Sequence, residues 1–118
     1  MNDTRTLVGR FFGGVVLETC RDNSISRPRV KPVSEFHPET RVEFPRKLRE
    51  IFPIGTRFKA TVKVCQKTLN GQDKGAPYLK AYDVAVIASS VPDEGLLARV
   101  RDGSISGLAY KYEWKTKS

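Results

Sequence analysis

The chain has 118 residues, 39% of them hydrophobic and 29% charged, the composition of one folded domain with its own core rather than of a disordered segment. Its 21 Lys and Arg outweigh 13 Asp and Glu for a net charge of +8, and such a field draws phosphate backbones, acidic proteins and anionic membranes alike. No apolar run approaches the roughly 20 residues needed to cross a bilayer, and no basic amphipathic helix of useful length is visible, so no membrane partner is expected.

The opening MNDTRTLVGR has no positively charged segment leading into a long apolar stretch, so no secretory signal is expected. Cys20 and Cys65 are the only cysteines and lie far apart, which reads as free thiols in a reducing compartment. The expected location is therefore the cytoplasm. The charge is uneven: Arg21 to Lys67 holds 12 Lys and Arg against 5 Asp and Glu, a net +7.

The first predicted strand runs from Leu7 to Thr19 with Gly13-Gly14 at its middle, where paired glycines suit a bulge that curls a sheet. RDNSIS at Arg21 to Ser26 is then echoed by RDGSIS at Arg101 to Ser106. Both stretches sit between apolar runs and offer residues that tolerate tight turns. The echo reads as one chain reversal built twice rather than as a duplicated functional motif. In the proline-rich connection that follows, Pro45 can open a short helix and Pro53 ends it. Leu48, Ile51 and Phe52 form its apolar face, leaving Arg46, Lys47 and Arg49 toward water.

Arg57 to Lys67, RFKATVKVCQK, alternates strictly: Phe58, Ala60, Val62 and Val64 face one way, and Arg57, Lys59, Thr61, Lys63 and Lys67 the other. After the turn signal Asn70-Gly71, PYLKAYDVAVIA from Pro77 is rich in β-branched and aromatic residues. The register that gathers apolar side chains sets Leu79, Ala81, Ala85 and Ile87 against Phe58, Val62 and Val64. It leaves Tyr78, Lys80 and Tyr82 on the lysine face, exposes Val84 and Val86 beside them, and points Asp83 at the core with no partner to explain it. From Ser90 to Arg101 two patterns compete: SVPD resembles a helix capping box, while LLARVRDGSIS reads as a hairpin, which is the expectation adopted. In the last strand Tyr110, Tyr112 and Trp114 share a face, as core or edge packing.

Together these elements predict a single domain over 1–118, mainly β with one short helix, of about six strands in three hairpins. The bent first strand implies a small curled sheet or barrel, oligonucleotide-binding-like or SH3-like in layout.

Single-stranded nucleic acid is held by cations along its backbone and by rings on which bases stack. Arg57, Lys59, Lys63, Lys67 and Lys80 supply the first and Tyr78 and Tyr82 the second, with Arg46, Lys47 and Arg49 extending the track. The bland reading of the same face is a solvated sheet whose lysines deter edge pairing. A second functional reading is an accessory module that docks on an acidic protein or self-associates, with Val84 and Val86 as its apolar centre.

Enzymatic patterns are weaker. Pro92-Asp93 with Glu113-Trp114-Lys115 resembles in letters the PD-(D/E)xK nucleases, whose carboxylates hold a metal and whose lysine orients water, but so degenerate a pattern arises by chance in a charged chain. His37 stands in the polar stretch SEFHPET without a serine–carboxylate arrangement, and Cys20, Cys65 and His37 lack the close cysteine pair that anchors zinc. Cys65 lies on the basic face without a histidine base. Gly9, Gly13 and Gly14 do not form a phosphate loop. The expectation is a non-catalytic protein with no cofactor, whose partner is nucleic acid or, alternatively, a protein or a second copy of itself.

Overall fold

The computed structural model describes residues 4–21, 28–101 and 111–113. A 3-10 turn (Thr4–Leu7) leads into β1 (Phe11–Cys20), followed by β2 (Arg29–Pro32), the two-residue β3 (Val42–Glu43), helix α1 (Arg46–Ile51) and β4 (Arg57–Cys65). A small ribbon of β5 (Thr68–Leu69) and β6 (Gln72–Asp73) precedes β7 (Tyr78–Ile87), helix α2 (Glu94–Arg101) and β8 (Lys111–Glu113). The main sheet has the order β2-β1-β4-β7-β3, and β8 also pairs with β7. Because β3 at one edge returns to within contact of β2 at the other, the sheet is nearly a closed barrel. This is the small, strongly curled barrel that the sequence predicts.

β4 keeps its strict alternation, with Phe58, Ala60, Val62 and Val64 all buried. Both of its neighbours bulge at the same level. On β1, Phe12 stands opposite Val62 and Val15 opposite Ala60, so Gly13 and Gly14 share the space opposite Thr61. On β7, Tyr82 stands opposite Thr61 and Ala85 opposite Lys59, so Asp83 and Val84 share the space opposite Ala60. Each bulge has one residue in the left-handed region, Gly14 at φ 67° and Asp83 at φ 52°. Glycine takes this conformation freely, and aspartate is among the few other residues that visit it.

The Asp83 bulge accounts for the residue that the sequence left unexplained, and it corrects the register. Past the bulge the faces exchange: Val84 and Val86 enter the core at 7% and 0% exposure, while Ala85 and Ile87 are only half-buried. An apolar docking centre of Val84 and Val86 is therefore absent. Asp83 itself is exposed.

Phe58 is the hub of the core, 4.8 Å from the ring of Phe44 and 5.9 Å from that of Phe52, which meets it edge-on. α1 supplies Phe52 and Leu48 from a turn and a half of helix bounded by Pro45 and Pro53, as the prolines indicate. Arg49 does not face water; it is half-buried and donates from Nη1 to the Pro28 carbonyl at 3.3 Å.

The stretch before the second echo is helical and not a hairpin. The Leu96 N–H donates to the Asp93 carboxylate at 3.1 Å, an N-cap bond at the start of α2, and Leu96 packs into the core. The helix also provides the crossover that parallel strands require, since β8 pairs parallel to β7. The described residues thus hold two short α-helices where the sequence predicts one. The first echo follows a strand and the second a helix, so the two do not join equivalent elements; Asp22 to Ser26 and Asp102 to Ser106 lie outside the described residues, as do Tyr110 and Trp114.

At the bulge, Asp83→Val should destabilise the protein by about 1–2 kcal/mol because a β-branched residue is forced to positive φ. Asp83→Gly should leave stability near wild type, and urea denaturation of the two variants checks the contrast.

Candidate nucleic-acid interface

The outer face of β1, β4 and β7 gathers most of the residues expected to bind nucleic acid. Cross-strand partners set Lys63 opposite Lys80, Thr61 opposite Tyr82 and Cys65 opposite Tyr78. Phe11 on β1 stands opposite Lys63 from the other side. The Phe11 ring is 60% exposed and lies 6.0 Å from that of Tyr82, itself 37% exposed. Cations cover these rings: Lys63 Nζ is 5.5 Å from the Phe11 centroid, Lys80 Nζ 5.6 Å from Tyr82, and Lys67 Nζ 5.8 Å from Tyr78.

The bulges divide this face into two flanks. One holds Phe11, Lys63, Tyr78, Lys80 and Tyr82. The other, past the bend, holds Arg57 and Lys59, and there Arg57 donates from Nε to Glu18 at 2.9 Å. The Arg57 charge is thereby compensated, as the cross-strand pairing of Glu18 with Arg57 allows. Arg46 is likewise paired, its Nε 2.8 Å from Glu50 one helical turn on, and that carboxylate raises its pKa, first through the hydrogen bond and then through charge. Arg46 and exposed Lys47 belong to α1, which packs at the Phe58 end of β4, whereas Lys63 and Cys65 lie toward the other end. The helix and the ring-bearing flank are therefore separate surfaces.

The lysine pair is the unusual feature. Like charges directly opposite on antiparallel strands are destabilising. Glu43, the β3 neighbour of Lys80, does not compensate it, for the two form no ion pair and Lys80 turns onto Tyr82 instead. The Tyr78 phenol has its pKa raised, chiefly by burial and further by Cys65 and by the charge of Glu43, so it stays neutral well past physiological pH.

Beside this flank lies a groove of about 890 Å³ between β2–β3 and the β5–β6 arm, with Tyr78 on its lip and Val30 and Phe44 in its floor. The arm turns at Asn70-Gly71, both at positive φ, as the Asn-Gly signal demands. Its root is fixed by the Gln66 amide, which donates to the Lys67, Lys74 and Gly75 carbonyls at 3.0, 3.3 and 3.0 Å. Arg29 in the groove wall donates from Nη2 to the Pro38 and Thr40 carbonyls, both at 3.3 Å, closing the seam between β2 and β3. Arg41, Lys67 and Lys74 are exposed on the rim.

Sequence reasoning missed Phe11, Arg41 and Lys74. For Phe11 the adjacent Phe12 obscured the alternation, since Phe12 turns inward against Phe36. Arg41 and Lys74 are brought together only by the barrel, and no local pattern joins them.

Two of the other candidate side chains make local hydrogen bonds, and Lys115 lies outside the described residues. Asp93 caps α2 and His37 Nδ1 accepts from the Glu39 N–H at 3.0 Å. Both cysteines are free thiols, and among the described residues no three His, Cys, Asp or Glu side chains are placed to hold a metal ion. No helix among them is long and apolar enough to cross a membrane. No protein-family model, curated protein or solved structure matches the chain.

Since Phe11 projects outward, Phe11→Ala should shift stability by no more than about 0.5 kcal/mol. Phe58→Ala should cost about 3–5 kcal/mol. Thermal denaturation of both variants distinguishes a surface ring held for contact from one held for packing.

Proposed function

We propose that this protein is a non-catalytic nucleic-acid-binding module that grips a single strand on the ring-bearing flank of β1, β4 and β7 and along the adjoining groove. The observation that carries this reading is the uncompensated Lys63–Lys80 pair set against the exposed rings of Phe11 and Tyr82. A phosphate between the two ammonium groups offsets their repulsion, and unpaired bases stack on the rings beside it. The exposed Arg41, Lys67 and Lys74 continue the cationic path along the groove rim.

A single strand fits this chemistry better than a duplex, because stacked, paired bases do not present their faces to a protein ring. Likeness of layout points the same way: five-stranded barrels of this kind hold oligonucleotides at their second and third strands and at the loop between the fourth and fifth. Counting the five barrel strands along the chain, those correspond to β2, β3 and the β5–β6 arm. That argument rests on fold alone and is subordinate to the side chains. The protein-docking alternative loses its apolar centre with the burial of Val84 and Val86.

Fluorescence anisotropy with labelled single-stranded and duplex oligonucleotides tests the reading. Affinity should fall steeply with salt and favour the single strand. Replacing both lysines, Lys63→Gln with Lys80→Gln, should lower the single-strand salt slope by about 1.4 and weaken binding to every sequence, without unfolding a protein it relieves of repulsion. Tyr82→Ala should cost about 1 kcal/mol of single-strand affinity. Absence of binding at low salt, or unchanged binding by the double variant, would reject the proposed surface.

A further inference from the structure

A carboxylate in a groove that receives phosphate is unfavourable unless the ligand brings it a donor. Glu43 is such a carboxylate. It is exposed, it lines the groove, and it stands directly across from Lys80 in the parallel pairing of β3 with β7. The lysine that would neutralise it turns to Tyr82, leaving Glu43 without an ion pair or side-chain hydrogen bond among the described residues. Its charge is felt at Tyr78, on the lip of the same groove. An unpartnered acceptor thus borders a ring on which a base can stack.

The donors that a single strand offers such a carboxylate are chiefly those of its base edges. Ionised Glu is purely an acceptor, with two oxygens side by side. In cytosine and adenine the exocyclic amine adjoins a ring nitrogen that is itself an acceptor and repels the second oxygen. In thymine and uracil the lone imide N–H lies between two carbonyls. Guanine alone presents two adjacent donors, N1–H and the 2-amino group, on its Watson–Crick edge. That edge matches the carboxylate oxygen for oxygen, in the bidentate manner that makes charge-assisted pairs strong.

Resting on the nucleic-acid reading above, we infer that Glu43 is a specificity-determining residue that selects guanine at the position stacked on Tyr78. Glu39 also lines the groove, but Glu43 is the carboxylate that lies in the strand paired with β7 beside Tyr78, so it is the one placed to give the module its base preference. It acts by rejection as well as attraction, because a base without paired donors leaves the carboxylate facing acceptors.

The experiment compares three labelled single strands of equal length by anisotropy: oligothymidylate, the same strand with isolated guanines, and that strand with hypoxanthine in place of guanine. Wild type should bind the guanine strand about tenfold more tightly than oligothymidylate, in the range of one bidentate contact at an exposed site. Hypoxanthine, which keeps N1–H and lacks the amine, should fall between. Glu43→Gln should bring the three strands near parity while binding oligothymidylate at least as tightly as wild type, since a negative charge has gone; that retained binding also reports an intact fold. Equal binding of all three strands by wild type overturns the inference and leaves the nucleic-acid reading standing, as does a guanine preference that survives in Glu43→Gln. Failure to bind any strand overturns both.

Discussion

The side chains that reach water on this barrel are decided by two backbone irregularities flanking one regular strand. β4 alternates without interruption, but Gly13-Gly14 on one side and Asp83 on the other each insert an extra residue against Ala60 and Thr61. Extra residues on both neighbours at one level bend the sheet there and help carry it round toward closure. They also exchange inner and outer faces along β7, sending Val84 and Val86 inward while Lys80 and Tyr82 stay outside. Without the positive φ at Asp83, Leu79 on one side of the bulge and Val84 and Val86 on the other could not face the core together.

The same bend sorts the charges. A basic count taken along the chain treats every Lys and Arg alike, yet the fold assigns them different tasks. Arg57 and Arg46 are neutralised by Glu18 and Glu50, while Arg29 and Arg49 hold backbone carbonyls and so serve the architecture. Of the other cations, Lys63, Lys67 and Lys80 lie against the rings of Phe11, Tyr78 and Tyr82, and Arg41, Lys67 and Lys74 line the groove.

Local regularity made much of this legible in advance. The period-two pattern of Arg57 to Lys67, the Asn-Gly turn and the prolines around Leu48 each specify their element through chemistry within a few residues. The shared face of Lys63, Tyr78, Lys80 and Tyr82 followed from the same pattern, because all four precede the bulge in the pairing. What could not be read depended on competition between alternatives or on distance. Asp83 breaks a strand whose alternation, taken at face value, continues through it. Glu94 to Arg101 has strand-like and helix-like readings, and the Asp93 cap together with the need for a parallel crossover decides between them. The groove brings together Arg41 and Lys74, which lie far apart in the chain.

The β5–β6 arm separates two properties that many small barrels must adjust together. Thr68 through Lys74 contribute no side chain to the core, and the arm is moored at its base by Gln66 and by the Lys74 N–H bond to the Lys67 carbonyl at 2.8 Å. Residues added or removed beyond that mooring leave the packing around Phe58 untouched and cost little in loop closure, which grows only slowly with length. The length of the arm, and with it how far the arm reaches from the barrel, can therefore change without renegotiating the stability of the core.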